Sequence, residues 1–193
     1  MTFLDKIRIK VSILINRLSK PVMLEKSNLK KNLNIKGTRI SSTTFIDYPE
    51  NLELGENVYV GQFNFIEASN HIKIGKGTQI TNYVSITSHS SHDSIRLYGE
   101  KYKSTVNHLG YQKGKIIVGD YCYIGPYSLL SPGTKIGNGC IVKSHSVLKG
   151  DFPDFSIISG NPAHVIGNTR ERDAKFLAEF AELESTYYLN EKE

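Results

Sequence analysis

Cysteine is scarce in this chain of 193 residues, which holds only Cys122 and Cys140. Two thiols build no disulfide framework, and that points to a reducing compartment. No stretch of about 20 residues is apolar without interruption, so no segment reads as a membrane-spanning helix. The opening segment, MTFLDKIRIKVSILINRL, is apolar but repeatedly broken by charge, which argues against a cleavable secretion signal. The expected location is cytoplasmic, with association at the inner face of a membrane left open. Acidic residues are nearly missing from positions 1–40, where ten Lys and Arg face only Asp5 and Glu25, a surplus of eight; the remainder holds 14 basic and 17 acidic residues, a deficit of three. A basic arm of this kind suits a polyanion or an anionic surface. It lacks the interleaved aromatics of a nucleic-acid platform, so nucleic acid is not an expected partner.

What the chain does have is a strict repeat. Val118, Ile124, Leu130, Ile136, Val142 and Leu148 fall six residues apart, and Cys122, Ser128, Thr134, Cys140 and Ser146, all small, sit four positions after the first five. A helix repeats at 3.6 residues and a lone strand at 2, so neither accounts for this register. A period of six describes the flat faces of a parallel β-helix, whose equivalent corners stack from turn to turn. Leu54, Val60, Ile66 and Ile72 show the same spacing, and after a slip of two residues Ile74, Ile80 and Ile86 resume it, with Thr78 and Val84 at the inward offset. Three hexads close one triangular coil, so each layer should take eighteen residues. Cys122 and Cys140 then lie one coil apart as core fillers.

The chain reads as one domain with flanking segments. Residues 1–34 form a helical or irregular cap, residues 35–166 the coil with an interruption at 87–117, and residues 167–193 a C-terminal helix. Phe3, Leu4, Ile7, Val11, Leu14, Ile15 and Leu18 share one helical stripe. That stripe would cover the open edge of the first coil, or else rest on a membrane through its basic face. The segment TRERDAKFLAEFAELE, with Phe176, Leu177, Phe180 and Leu183 on one face, would cover the other end or a neighbouring subunit.

The interruption carries the chemistry. A coil that loops out for about thirty residues and returns to register spends backbone entropy on the excursion, and such long loops are usually functional. This one reads TSHSSHDSIRLYGEKYKSTVNHLGYQKGKII and contains His89, His92, His108, Asp93, Arg96, Tyr98, Tyr102 and Tyr111. Histidine exchanges a proton near neutral pH, which makes His89 and His92 candidates for a general base. His71, in a turn, reads as a surface residue.

Three stretches resemble the hexapeptide-repeat acyltransferases: VGDYCYIGPYSLLSPGTKIGNGCIVKSHSVLKGD, the closing ISGNPAHVIG, and ITSHSSHD at the mouth of the loop. The closest likeness is to bacterial O-acetyltransferases of sugars and surface polysaccharides, with maltose- and galactoside-type acetyltransferases as cousins. The resemblance implies an all-β, left-handed parallel β-helix; the hand comes from it alone. It further implies a homotrimer with active sites between subunits, acetyl-coenzyme A as acyl donor and no metal. The implied reaction is direct transfer of acetyl to a hydroxyl, with His92 as the base and His89 second, since Ser91-His92-Asp93 is similar to the family's small-His-acid pattern. Asn64, Glu67, Asp93 and Arg96 are candidates on the acceptor side, and Asp93 or Glu67 would orient the imidazole. Gly125 and Ser144 would offer backbone amides to the pantetheine arm, and Lys149, His164 and Arg170 would meet the coenzyme's phosphates.

Other readings share the scaffold. An N-acetyltransferase of an amino (nucleotide-)sugar differs only in the nucleophile. A γ-type carbonic anhydrase would need three histidine ligands and an open position on zinc, and no third histidine stands at the same corner as His89 and His92. A non-catalytic scaffold would leave the histidine loop without a purpose.

Overall fold

The computed structural model describes residues 2–24, 33 and 35–188. Within residues 35–168 the chain winds as a triangular prism whose three faces are sheets of parallel-paired strands. Eighteen residues separate partners in the middle coils, where Tyr123 pairs with Ile141, Leu129 with Val147 and Ile117 with Lys135. The corner aliphatics Val118, Ile124, Leu130, Ile136, Val142 and Leu148 are all buried, as are the small residues at the inward offset. Those small residues are polar for a reason. Inside the narrow prism they reach turn carbonyls: Thr78 Oγ1 donates to Gly119 O at 2.8 Å, Ser146 Oγ to Lys143 O at 2.7 Å and Cys122 Sγ to Gly137 O at 3.0 Å. Cys122 and Cys140 are free and buried. The adjoining Cys140 thiol, and then burial itself, push the Cys122 thiol far above its ordinary value, so it stays protonated.

The eighteen-residue layer does not hold everywhere, and the departure matters. In the first coils partners are twenty apart, with Arg39 on Tyr59, Phe45 on Phe65 and Leu52 on Ile72. The last coil closes on sixteen, with Lys135 on Asp151 and Ile141 on Ile157. All of the variation falls at one corner, between the second and third faces. Ile46 to Leu54 and Ile66 to Ile74 each span eight positions, Ile86 to Val118 spans 32, Leu130 to Ile136 spans six and Leu148 to Phe152 spans four. The slip of two residues noted in the sequence and the long interruption are therefore one feature, an elaborated edge of the prism.

The other corners are turned by residues with positive φ. One carries Phe63, Tyr83, Tyr127 and His145, with φ between 57° and 59°, and their rings stack at 5.2, 4.9 and 5.0 Å. A left-handed conformation costs a non-glycine residue roughly 1–2 kcal/mol, and each ring pair returns about 0.5–1.5 kcal/mol. At the next corner an aromatic takes the place above a glycine. A Cβ on Gly77 would lie 2.5 Å from the Tyr121 ring, so only glycine fits there.

One of the three prism sheets is finished at both edges by antiparallel strands, the first from within residues 1–34, which corrects the capping role expected of the terminal helices. Met23–Leu24 pairs antiparallel with Arg39–Ser41 at the first coil. Ser156–Gly160 and Ala163–Asn168 form an antiparallel hairpin at the last, turned at Asn161-Pro162. The stripe at 3–18 is a helix, α1 (Phe3–Leu18), opened by a capping box in which Thr2 and Asp5 bond each other's backbone. It does not lie on the coil: Leu4, Ile7, Val11, Leu14, Ile15 and Leu18 are 44–79% exposed. Helix α2 (His92–Tyr98) stands in the interruption, and α3 (Thr169–Glu179) follows the hairpin. α3 is shorter than the helix expected over 167–193. A 3₁₀ turn at Ala181–Thr186 sends the chain back to the side of the prism, where Tyr188 packs 4.8 Å from Tyr121 and Tyr187 donates to Asp173 at 3.0 Å.

Candidate active site at the elaborated edge

The interruption is not a loose loop. His89–Ser90 pairs antiparallel with Gln112–Lys113 and makes a two-stranded neck, with His89 opposite Lys113. Gly114 N donates to Ser88 O at 3.0 Å, which ties the neck to the coil. Beneath it lies Glu67, on the strand Phe65–Glu67 one coil earlier and in register with Thr87. Its side chain is 5% exposed and receives four contacts: Ser69 N at 2.9 Å, Ser88 N at 3.1 Å, Ser88 Oγ at 3.0 Å and His89 Nδ1 at 2.7 Å. Burial pulls the Glu67 carboxyl upward, but the bonds from Ser69 and Ser88 and the charge of His89 outweigh it. The carboxyl therefore sits below its ordinary value of 4.5 and is ionised at neutral pH.

His89 is thus held on one side. Nδ1 meets Glu67 and, at 3.2 Å, Ser69 Oγ, while Nε2 has no hydrogen-bond partner among the described residues. The ring plane is set by Tyr111, stacked at 5.4 Å and 8°. Both residues line an open cavity of about 800 Å³ together with Tyr48, Ser69, Asn70, His108 and Lys113. His108 stacks on Tyr102 at 4.2 Å, edge-on to Tyr98, and its Nε2 lies 2.6 Å from Tyr102 O. The arrangement is a wall of rings and amides around one imidazole nitrogen, backed by a buried carboxylate. It can take a proton from a bound hydroxyl or amine and stabilise the resulting imidazolium.

His92 occupies a different place. It opens α2 with its side chain 54% exposed. Both ring nitrogens are engaged, Nδ1 with Ser90 Oγ at 2.7 Å and Nε2 with Gln112 Nε2 at 3.2 Å and Asp93 Oδ2 at 3.3 Å. Asp93 also pairs with Arg96 and accepts from Gln112 at 3.2 Å, and Gln112 accepts from Lys149 at 2.9 Å. The bond from Arg96, opposed by some burial and joined by Gln112 and His92, holds the Asp93 carboxyl below its ordinary value. His92, Asp93, Arg96 and Lys149 therefore form one polar network that fastens the interruption to the coil. None of them lines the cavity, whereas His89 does.

Other expected site residues are also displaced. Asn64 is buried inside the prism, where its Oδ1 accepts from Val84 N at 2.7 Å; it cannot touch an acceptor. Gly125 is buried as well, and a Cβ there would come within 2.7 Å of Ser144 N and Val142 O, so it serves close packing of rungs. Ser144 and His164 are exposed, on the coil surface and the closing hairpin. Arg170 lies over the Phe155 ring at 3.8 Å. Neither these residues nor Lys149 line the cavity around His89. Reasoning from the sequence passed over Ser69, Lys113 and Tyr48. The first was within reach, because the two-residue slip implies a twenty-residue coil that stacks Ser69 beside His89.

Among the described residues no group of three His, Cys, Asp or Glu side chains is placed to hold a metal ion, and no helix is long and apolar enough to cross a membrane.

Comparison with known proteins agrees with this architecture. Residues 115–150 match the family "Bacterial transferase hexapeptide (six repeats)". The chain is 25% identical over 150 residues to galactoside O-acetyltransferase of Escherichia coli (strain K12), covering 76% of this chain and 68% of that one. It is 29% identical over 113 residues to WbbJ of the same organism, named for lipopolysaccharide biosynthesis O-acetyl transfer, covering 58% of this chain and 57% of that one. Among solved structures, galactoside acetyltransferase in complex with coenzyme A superposes with a TM-score of 0.55 at 22% identity, over 68% of this chain and 65% of that one. That likeness shows the fold, a left-handed parallel β-helix with helices at both ends. Residues 115–150 carry the repeat of the hexapeptide transferases, and over a longer stretch the chain is similar to the galactoside and lipopolysaccharide O-acetyltransferases.

Proposed function

We propose that the protein is an acetyl-coenzyme A-dependent O-acetyltransferase that acetylates a hydroxyl of a sugar or surface-polysaccharide precursor, with His89 as general base. The observation that carries this reading is the 2.7 Å contact from His89 Nδ1 to the buried, ionised Glu67, which leaves Nε2 available in the cavity. The carboxylate selects the tautomer with the proton on Nδ1, so the lone pair is on Nε2. An acceptor hydroxyl seated there gives its proton to Nε2 while its oxygen attacks the thioester carbonyl. The imidazolium formed is stabilised by Glu67 and then returns the proton to the departing thiolate. A backbone N–H on a rigid turn can receive the oxyanion. Glu67 and Tyr111 fix the ring without taking part in bond making. In this reading His89 is the base, and His92 holds the interruption in place.

The relatives' names support a sugar or glycan acceptor, and the aromatic wall supports ring stacking. A screen of hydroxyl and amino sugars with acetyl-coenzyme A, read by release of free thiol, tests the assignment. Turnover with at least one hydroxyl sugar is the expected result, and background release with all of them overturns it.

The same reading places the protein in the cytoplasm as a homotrimer, in keeping with the half-exposed Phe45, Phe65 and Tyr123 on the faces of the prism. It also gives α1 a role at the membrane surface. The exposed apolar stripe is flanked by Lys6, Lys10 and Arg17 on one side and Arg8 on the other, the pattern of a helix lying on anionic lipid. The full chain should sediment with phosphatidylglycerol vesicles at low salt, and Val11→Asp with Leu14→Asp should weaken this about tenfold or more. Equal sedimentation of both forms would remove α1 from the account.

A further inference from the structure

The charge of the cavity lining bears on the acceptor. Its side chains are hydroxyls, amides, rings, two imidazoles, the aliphatic Leu109 and one ammonium, and the lining contains no carboxylate. The carboxylate of Glu67 lies beneath His89 and is already engaged by Ser69, Ser88 and His89. A neutral sugar presents hydroxyl donors, which carboxylates bind best. This cavity instead offers neutral groups that both donate and accept, and one positive charge. Lys113 is the source. It stands directly across the neck from His89, and facing positions of an antiparallel pair carry their Cβ atoms about 4.5–5.5 Å apart on the same side. Its ammonium lies 5.4 Å from the Tyr111 ring centroid, on the same ring that stacks against His89. No carboxylate of the described residues forms an ion pair with it, whereas Lys135 and Arg96 elsewhere on the surface have Asp151 and Asp93.

We propose that the acceptor carries an anionic substituent, a phosphate or carboxylate on the sugar to be acetylated, and that Lys113 binds it within one ring's length of the hydroxyl at His89. The proposal rests on the transferase reading above. A lysine, rather than the planar fork of an arginine, suits a point contact with an anion whose sugar ring is already oriented by Tyr111. Because the cavity is open, the attraction weakens with salt, and that gives the proposal a signature separate from packing.

The test uses acceptors matched in all but charge, such as a hexose against its phosphate and its uronic acid, with the full chain and acetyl-coenzyme A. The wild type should show kcat/KM about tenfold or more higher for the anionic member, a preference that shrinks as ionic strength rises. Lys113→Gln should lower kcat/KM for the anionic acceptor about tenfold more than for the neutral one, and Lys113→Arg should recover most of that difference. Lys113 is exposed, so both variants should keep the wild-type melting temperature. A neutral acceptor preferred by the wild type, or equal losses on both acceptors in Lys113→Gln, overturns the proposal and leaves the transferase reading standing. A rise in KM for acetyl-coenzyme A alone also overturns it, because the lysine would then serve the coenzyme's phosphates. Background thiol release with every acceptor overturns both.

Discussion

Replacing His89 by alanine should lower kcat for acetyl transfer by about 10²–10⁴, the range over which a positioned general base acts. The loss should fall on kcat rather than on KM for acetyl-coenzyme A, because the imidazole acts on the proton that leaves in the transition state. The fold should tolerate the change: the side chain is one third exposed, and its loss opens no cavity among the stacked aliphatics. His92→Ala supplies the contrast. Its ring holds Ser90 and Gln112 outside the cavity, so the expected loss is less than about tenfold and arises from a looser neck. Turnover near wild type in His89→Ala, together with a collapse in His92→Ala, would return the base to the residue that the sequence alone suggested.

Glu67→Gln should be nearly as damaging, at about 10²-fold or more in kcat. The amide cannot stabilise the imidazolium, and it presents donor hydrogens to a site that Ser69, Ser88 and His89 supply entirely with donors. A mismatched buried group costs about 1–3 kcal/mol, so a fall in melting temperature should accompany the kinetic loss. Glu67→Asp separates the two effects, since it keeps the charge but shortens the reach; partial recovery of kcat is expected. The pH dependence has a definite sign. The Glu67 carboxyl is more acidic folded than unfolded, so it contributes stability that is present above 4.5 and is lost as pH falls through the lower folded value. Acid unfolding measured over that window should therefore be steeper in wild type than in Glu67→Gln, and identical slopes would count against an ionised Glu67.

The two sites of interest were unequally legible. The prism could be read directly, because an aliphatic every six residues with a small polar residue four further on has only one economical packing. The burial of Val118 to Leu148 and of Cys122 to Ser146 follows that pattern residue by residue. The loop's importance was equally visible, since it breaks a register that resumes afterwards. Its interior was not. ITSHSSHD contains two histidines three positions apart, and nothing in their neighbours says which one the chain turns toward the coil. Asn64 came in through the family resemblance, which matches positions along the chain and not side-chain direction; the structure buries it, with its Oδ1 serving Val84 N.

What the sequence determined by itself is whatever depends on local repetition: hexad corners, inward small residues, an amphipathic first helix and the place of the excursion. What only the tertiary structure decided is how residues from different coils meet. Glu67, Ser69, His89 and Lys113 come from two rungs and both strands of the neck. Their encounter depends on the twenty-residue length of one coil and the antiparallel closure of another, and side-chain spacing along the chain encodes neither of these unless the pairing partner is known.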